Sequence, residues 1–156
     1  MIPMVDLKAQ HDKYKEQINK EILKVLESTQ FINGPNVRSL EEEIKTLFGT
    51  KYVFSCASGT DALQMSVEAL KIGPGDEIIT TPFTFISTAW AISYCGATPV
   101  FVDIEPKTFN IDLNQIKKAI TSKTKAVIPV HLFGQPVDMN SLISICKEKN
   151  IKIVED

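Results

Sequence analysis

The sequence has no strong excess of either charge: 17 basic and 19 acidic residues leave a formal net charge of −2 over 156 residues. With acids and bases interspersed, there is no basic face of the kind that binding a phosphate backbone requires, which argues against a nucleic-acid partner. Long hydrophobic runs are missing too. The longest, such as 89–94 and 126–130, fall far short of the roughly 20 residues that cross a bilayer, so no membrane span or membrane partner is expected. The opening Met1-Ile2-Pro3-Met4-Val5-Asp6 lacks the basic segment and apolar block of a secretory signal, and a cytoplasmic location is the expectation. Cysteine is sparse: Cys56, Cys95 and Cys146 are odd in number, widely spaced and form no C-x-x-C pair. That excludes a disulfide framework and a cysteine zinc site, and no metal is expected; the three read as reduced core residues. Cys56, beside a candidate loop, could instead be a reactive thiol. Neither G-x-G-x-x-G nor G-x-x-x-x-G-K-[ST] occurs, which counts against a dinucleotide fingerprint and a P-loop.

What is present is a chain with 44% hydrophobic residues, enough for one substantial core. From Lys51 onward, short apolar runs alternate with helical patterns. Strands are expected over 52–56, 77–81, 98–103, 126–131 and 151–155, and helices over 60–72, 86–95, 114–120 and 141–149. This rhythm implies an α/β fold with a parallel sheet covered by helices on both faces. Every strand then ends on one edge, where open α/β sheets place their chemistry. Gly73-Pro74-Gly75-Asp76 and Gly96 supply the stops. Upstream, Ile18, Ile22, Val25 and Leu26 mark one amphipathic helix and Leu40, Ile44, Leu47 and Phe48 another, with 31–35 as the turn between. Glu41, Glu42 and Glu43 read as the solvated start of that second helix. The final run, 151–154, leads directly into Glu155-Asp156 with no helix to cover the sheet, so the chain is expected to be a fragment of a larger domain.

Four places carry chemistry. The segment Ala57-Ser58-Gly59-Thr60-Asp61-Ala62-Leu63 follows a run and opens a helix, so backbone N–H groups and the positive helix end converge. Gly59 permits close approach, and the Ser58 and Thr60 hydroxyls can donate to phosphate oxygens; an ordinary helix start with Ser58 or Thr60 as N-cap explains the segment equally well. Thr81-Pro82-Phe83-Thr84-Phe85-Ile86-Ser87-Thr88-Ala89 puts two aromatics at the same edge, where one could stack on a flat ring, although such aromatics are more often core. Asp156 ends a strand that reads as buried, so its carboxylate needs a donor or a cation. A protonated pyridine nitrogen would serve, and a helix cap is the competing reading. His131 could line the site, while an imidazole bonded within its turn explains it as readily; Asp138 reads as an N-cap.

On these elements the chain resembles the DegT/DnrJ/StrS family of sugar aminotransferases, fold type I enzymes dependent on pyridoxal 5′-phosphate (PLP). The resemblance covers essentially the whole chain and rests on the order and spacing of 31–35, 58–63, 81–85, 131–138 and 154–156. It implies a three-layer α/β/α fold, the mostly parallel sheet of the PLP-binding large domain, here truncated. Residues 1–50 would form an N-terminal helical segment and 51–156 a partial large domain. It also implies roles: Ser58, Gly59, Thr60 and Asp61 around the PLP phosphate, Phe85 on the ring, and Asp156 on the pyridinium nitrogen. Asn33, Gly34 and His131 would stand near substrate. Family members move an amino group, usually from glutamate, to a keto sugar carried on a nucleoside diphosphate, for surface polysaccharide or sugar-antibiotic biosynthesis, and act as homodimers. The family's Schiff-base lysine lies beyond Asp156, so this chain alone is expected to be inactive, and its exposed apolar surface to make it marginal or aggregation-prone. A non-catalytic regulatory or binding protein on the same fold is the alternative.

Overall fold

The computed structural model describes residues 4–156; of the six-residue opening read above, Met1, Ile2 and Pro3 lie outside the described residues. The chain divides into two compact units, Met1–Ser55 and Cys56–Asp156.

The first unit is a helix pair, α1 (Leu7–Ser28) and α2 (Pro35–Phe48). Asp6 caps α1 by accepting the Ala9 N–H at 3.0 Å. The helix stops where Thr29 turns left-handed, with φ 56°. Gly34 caps α2, and Pro35 stands in its first turn, where its fixed φ and missing N–H cost nothing. That start corrects the reading of Glu41, Glu42 and Glu43: they lie mid-helix, because the proline begins the helix six residues earlier. Glu41 instead accepts the Ser55 N–H at 2.8 Å, and Glu42 pairs with Lys45. Neither helix contains a buried residue, and Ile22, Leu26, Leu40, Leu47 and Phe48 are all exposed. The apolar stripes were legible, but two helices do not enclose enough volume to hide them.

The second unit is a parallel sheet of four strands, β1 (Glu77–Thr80), β2 (Thr98–Phe101), β3 (Thr124–Val127) and β4 (Lys152–Ile153), in the order β2-β1-β3-β4. Pro99 is tolerated because β2 is an edge strand. The helices are α3 (Gly59–Ala69), α4 (Ser87–Tyr94), α5 (Leu113–Ala119) and α6 (Met139–Glu148). Side-chain alternation divides the core in two. Ile78, Ala126 and Ile128 pack with Leu63 and Val67 of α3 and Ala91 and Ile92 of α4. Ile79 and Val127 pack with Ile116 of α5 and Leu142 and Cys146 of α6. The result is the expected three-layer α/β/α arrangement.

Residues 52–56, expected as a strand, form none; Tyr52 and Phe54 are 64% and 80% exposed. Their β-forming composition favours an extended chain, but among the described residues no strand pairs with it. Cys56, at the end of that segment, is exposed rather than core, its Sγ 3.3 Å from the Ser58 carbonyl oxygen. Cys146 is buried, and burial pushes its thiol up to about 11. Pairing continues beyond the regular strands: Ile128 N–H bonds to the Ile79 carbonyl, Asp156 N–H to Pro129, and His131 N–H to Asp156. Pro129 has no N–H to give, which interrupts the ladder just past β3.

Gly96, at φ 78°, ends the turn after α4, and a Cβ there would come within 3.0 Å of the Pro74 ring. Buried Asn110 ties the loop after β3 down, its Nδ2 donating to the carbonyls of Gln135 and Pro136 at 3.3 and 3.0 Å. Asn110→Ala is therefore expected to cost about 1–3 kcal/mol, read as a lower urea midpoint; an unchanged midpoint would show that the loop is held by other means. Among the described residues no helix is long and apolar enough to cross a membrane, and no group of three or more His, Cys, Asp or Glu could hold a metal ion.

Candidate active site

The connections leaving β1 and β3 diverge. The chain after β1 enters α4 on one face of the sheet, while the chain after β3 leads to α6 on the other. Adjacent parallel strands whose connections part in this way open a crevice at their C-terminal ends, the place where α/β sheets receive ligands. The residues singled out from the second unit's sequence gather along this edge.

Asp156 continues the line of β4. Val154, two residues earlier, packs on the α3/α4 side of the sheet, so by alternation Asp156 projects to that side. The hydrogen bonding agrees: fully buried Thr88, in the first turn of α4, donates its hydroxyl to Asp156 Oδ2. The same Thr88 donates its N–H to the carbonyl of Phe85 at 3.2 Å. One residue thus links the candidate ring partner to the candidate nitrogen partner. The Phe85 ring itself is 71% exposed, and Phe83 is exposed too, stacked on Phe109 with centroids 5.9 Å apart. Composition favoured core for both aromatics. They stay outside because the turn after Thr81 carries them past the end of the sheet.

On the same face and edge, α3 begins. It runs against the strands, so its N-terminus lies at their C-terminal ends. Ser58 is the N-cap: its Oγ accepts the Asp61 N–H at 3.2 Å and donates to Asp61 Oδ2 at 2.8 Å. This reciprocal cap leaves the N–H groups of Gly59 and Thr60 without intrahelical acceptors. Gly59 has no left-handed φ, and a Cβ added to it would meet no atom within 4 Å. Among the described residues no neighbouring atom requires glycine at that position.

His131 has both ring nitrogens engaged. Val137 N–H donates to Nδ1 at 3.1 Å, which makes Nδ1 the acceptor and puts the proton on Nε2, facing Glu155 Oε2 at 2.9 Å. The Nδ1 bond lies within its own turn, and the Nε2 contact ties that turn to the chain just past β4. Asp138 caps α6, and bonds from the Ser141 hydroxyl and N–H hold its carboxyl below the usual carboxylate range. Asn33 and Gly34 belong to the first unit. Asn33 adopts φ 48°, and a Cβ on Gly34 would sit 2.6 Å from the Gln30 carbonyl oxygen, so the turn geometry alone accounts for the glycine. Thr88 was not singled out by sequence reasoning; its partner lies 68 positions away.

Residues 12–156 match the DegT/DnrJ/EryC1/StrS aminotransferase family. The chain belongs to this family. It is 46% identical over its full length to the UDP-2-acetamido-2-deoxy-3-oxo-D-glucuronate aminotransferase of Pseudomonas aeruginosa, covering 44% of that protein. It is 45% identical over 99% of its length to a pleiotropic regulatory protein of Geobacillus stearothermophilus, covering 42% of it. Among solved structures, ntda from Bacillus subtilis with bound cofactor PMP superposes with a TM-score of 0.94 at 34% identity, across 99% of this chain and 36% of that one. The chain therefore spans less than half the length of these relatives, and it carries the N-terminal part of their common fold.

Proposed function

We propose that this chain is the N-terminal part of a PLP-dependent aminotransferase that moves an amino group, with glutamate as donor, onto a keto sugar carried by a nucleoside diphosphate. The observation that carries the reading is the meeting, on one face and edge of the sheet, of an open helix end, an exposed aromatic ring and an oriented carboxylate. The residues fit the cofactor. A phosphate suits the free N–H groups and the vacant space at Gly59. A protonated ring nitrogen suits Asp156, which among the described residues pairs with no cationic side chain.

When bound, PLP supplies a cationic ring that takes up electron density from the substrate carbon. The chain's own residues would bind and orient that ring. The N–H groups of Gly59 and Thr60, with the Thr60 hydroxyl, hold the phosphate. The Ser58–Asp61 cap keeps that turn in shape, and the Asp61 side chain acts through Ser58. Phe85 covers one ring face and excludes water from it. Asp156 accepts the hydrogen bond of the ring nitrogen and keeps the proton there. His131 would stand near the sugar, and a second subunit would complete the site. The attaching lysine is expected further along the full-length protein, so the 156-residue chain alone is expected to be inactive.

The name of the Geobacillus relative favours a second reading, a regulatory protein on the same fold. An assay of the full-length protein with PLP, glutamate and UDP- or dTDP-linked keto sugars separates the two. Stoichiometric 2-oxoglutarate and amino sugar are expected. PLP binding with no turnover on any such sugar would favour the regulator.

A further inference from the structure

Threonine within a helix usually bonds back to a carbonyl one turn earlier. Thr88 does not; its hydroxyl leaves the helix and donates to Asp156. An ionised carboxylate only accepts, so the single Thr88 proton goes to Asp156 Oδ2. That fixes the next bond in the row. Thr84 Oγ1 stands 3.0 Å from Thr88 Oγ1, and with the Thr88 proton already committed, Thr84 must be the donor. The two hydroxyls therefore form a directed chain, Thr84 to Thr88 to Asp156, in which each bond polarises the next. Thr88 is 0% exposed, so water does not compete for its hydroxyl. The backbone of Asp156 is held independently by Pro129 and His131. Main chain and one carboxylate oxygen are both tied, and among the described residues Oδ1 accepts no hydrogen bond.

We infer that Thr88, backed by Thr84, is a positioning residue that keeps the Asp156 carboxylate aimed at the nitrogen of the cofactor ring. The inference rests on the proposed role of Asp156. It adds that the role depends on a hydroxyl supplied by α4, a residue that touches neither cofactor nor substrate. Thr88→Val keeps the shape and removes the donor; Thr88→Ser keeps the donor. Removing one hydrogen bond to a charged group should weaken PLP binding by about 10-fold in Thr88→Val, with Thr88→Ser close to the parent and Thr84→Val showing a smaller loss.

The test uses the full-length protein, PLP titrated by absorbance, and the nitrogen resonance of ring-labelled ¹⁵N-PLP, with Asp156→Asn alongside. The expected result is a ¹⁵N resonance in Thr88→Val moved towards that of neutral pyridine, in the direction Asp156→Asn moves it, with Thr88→Ser restoring it. The melting temperature without PLP checks that Thr88→Val remains folded. If Asp156→Asn moves resonance and affinity while a folded Thr88→Val moves neither, the positioning role is wrong and the reading of Asp156 stands. If Asp156→Asn also leaves both unchanged, the reading of Asp156 fails and the inference falls with it.

Discussion

Asp156→Asn in the full-length protein is expected to lower turnover by on the order of 10²–10³-fold while leaving the fold intact. The side chain is exposed and lies at the end of the sheet, so it contributes nothing to either core cluster. Its backbone bonds to Pro129 and His131 are indifferent to the side chain. The amide is nearly the same size and can still accept from Thr88. What changes is charge: an amide does not hold a proton on a pyridine nitrogen as a carboxylate does, and the ring then withdraws electrons less well. The measurement is kcat beside far-UV circular dichroism. A variant that keeps more than half the parental kcat would remove Asp156 from the mechanism.

Gly59→Ala is expected to separate stability from binding. The position has an ordinary φ and opens a helix, and the added Cβ meets no protein atom within 4 Å. Alanine also constrains the unfolded chain more than glycine does, so the protein without cofactor should gain about 0.4–1 kcal/mol. A phosphate seated on the Gly59 and Thr60 N–H groups would occupy the same space. Crowding there should weaken PLP binding by roughly 10–100-fold. Thermal melts without PLP, compared with PLP titrations, report the two effects independently. Equal affinity for the alanine variant would mean that the phosphate sits elsewhere and that the glycine has no function at this helix end.

Periodicity made most of the second unit legible. Ile78 and Ile79, and Val127 and Ile128, are adjacent apolar pairs of the kind a strand buried on both faces carries, and the two core clusters divide them accordingly. Ser58-Gly59-Thr60 was recognisable because capping is local, with its partner three residues on. Long-range partners were not. The Thr88–Asp156 bond joins α4 to the end of β4, and no pattern in either segment announces the other. The strand expected over 52–56 failed for a related reason: composition encodes a preference for extended backbone, whereas a strand also needs a neighbour. Glu41, Glu42 and Glu43 misled because a run of acids imitates a helix start when the true signal, Gly34-Pro35, stands a turn and a half upstream. For His131 only half of the pairing was local: Nδ1 accepts within its own turn, whereas Nε2 meets Glu155, 24 positions on.

The proposed function requires one molecule to span the N-terminus of α3 and the carboxylate of Asp156. A crystal structure of the full-length protein with PLP tests it directly. The expected result is the phosphate on the Gly59 and Thr60 N–H groups, the ring against Phe85 and the ring nitrogen within hydrogen-bond distance of Asp156. A phosphate bound away from α3, or a ring nitrogen out of reach of Asp156, would contradict it.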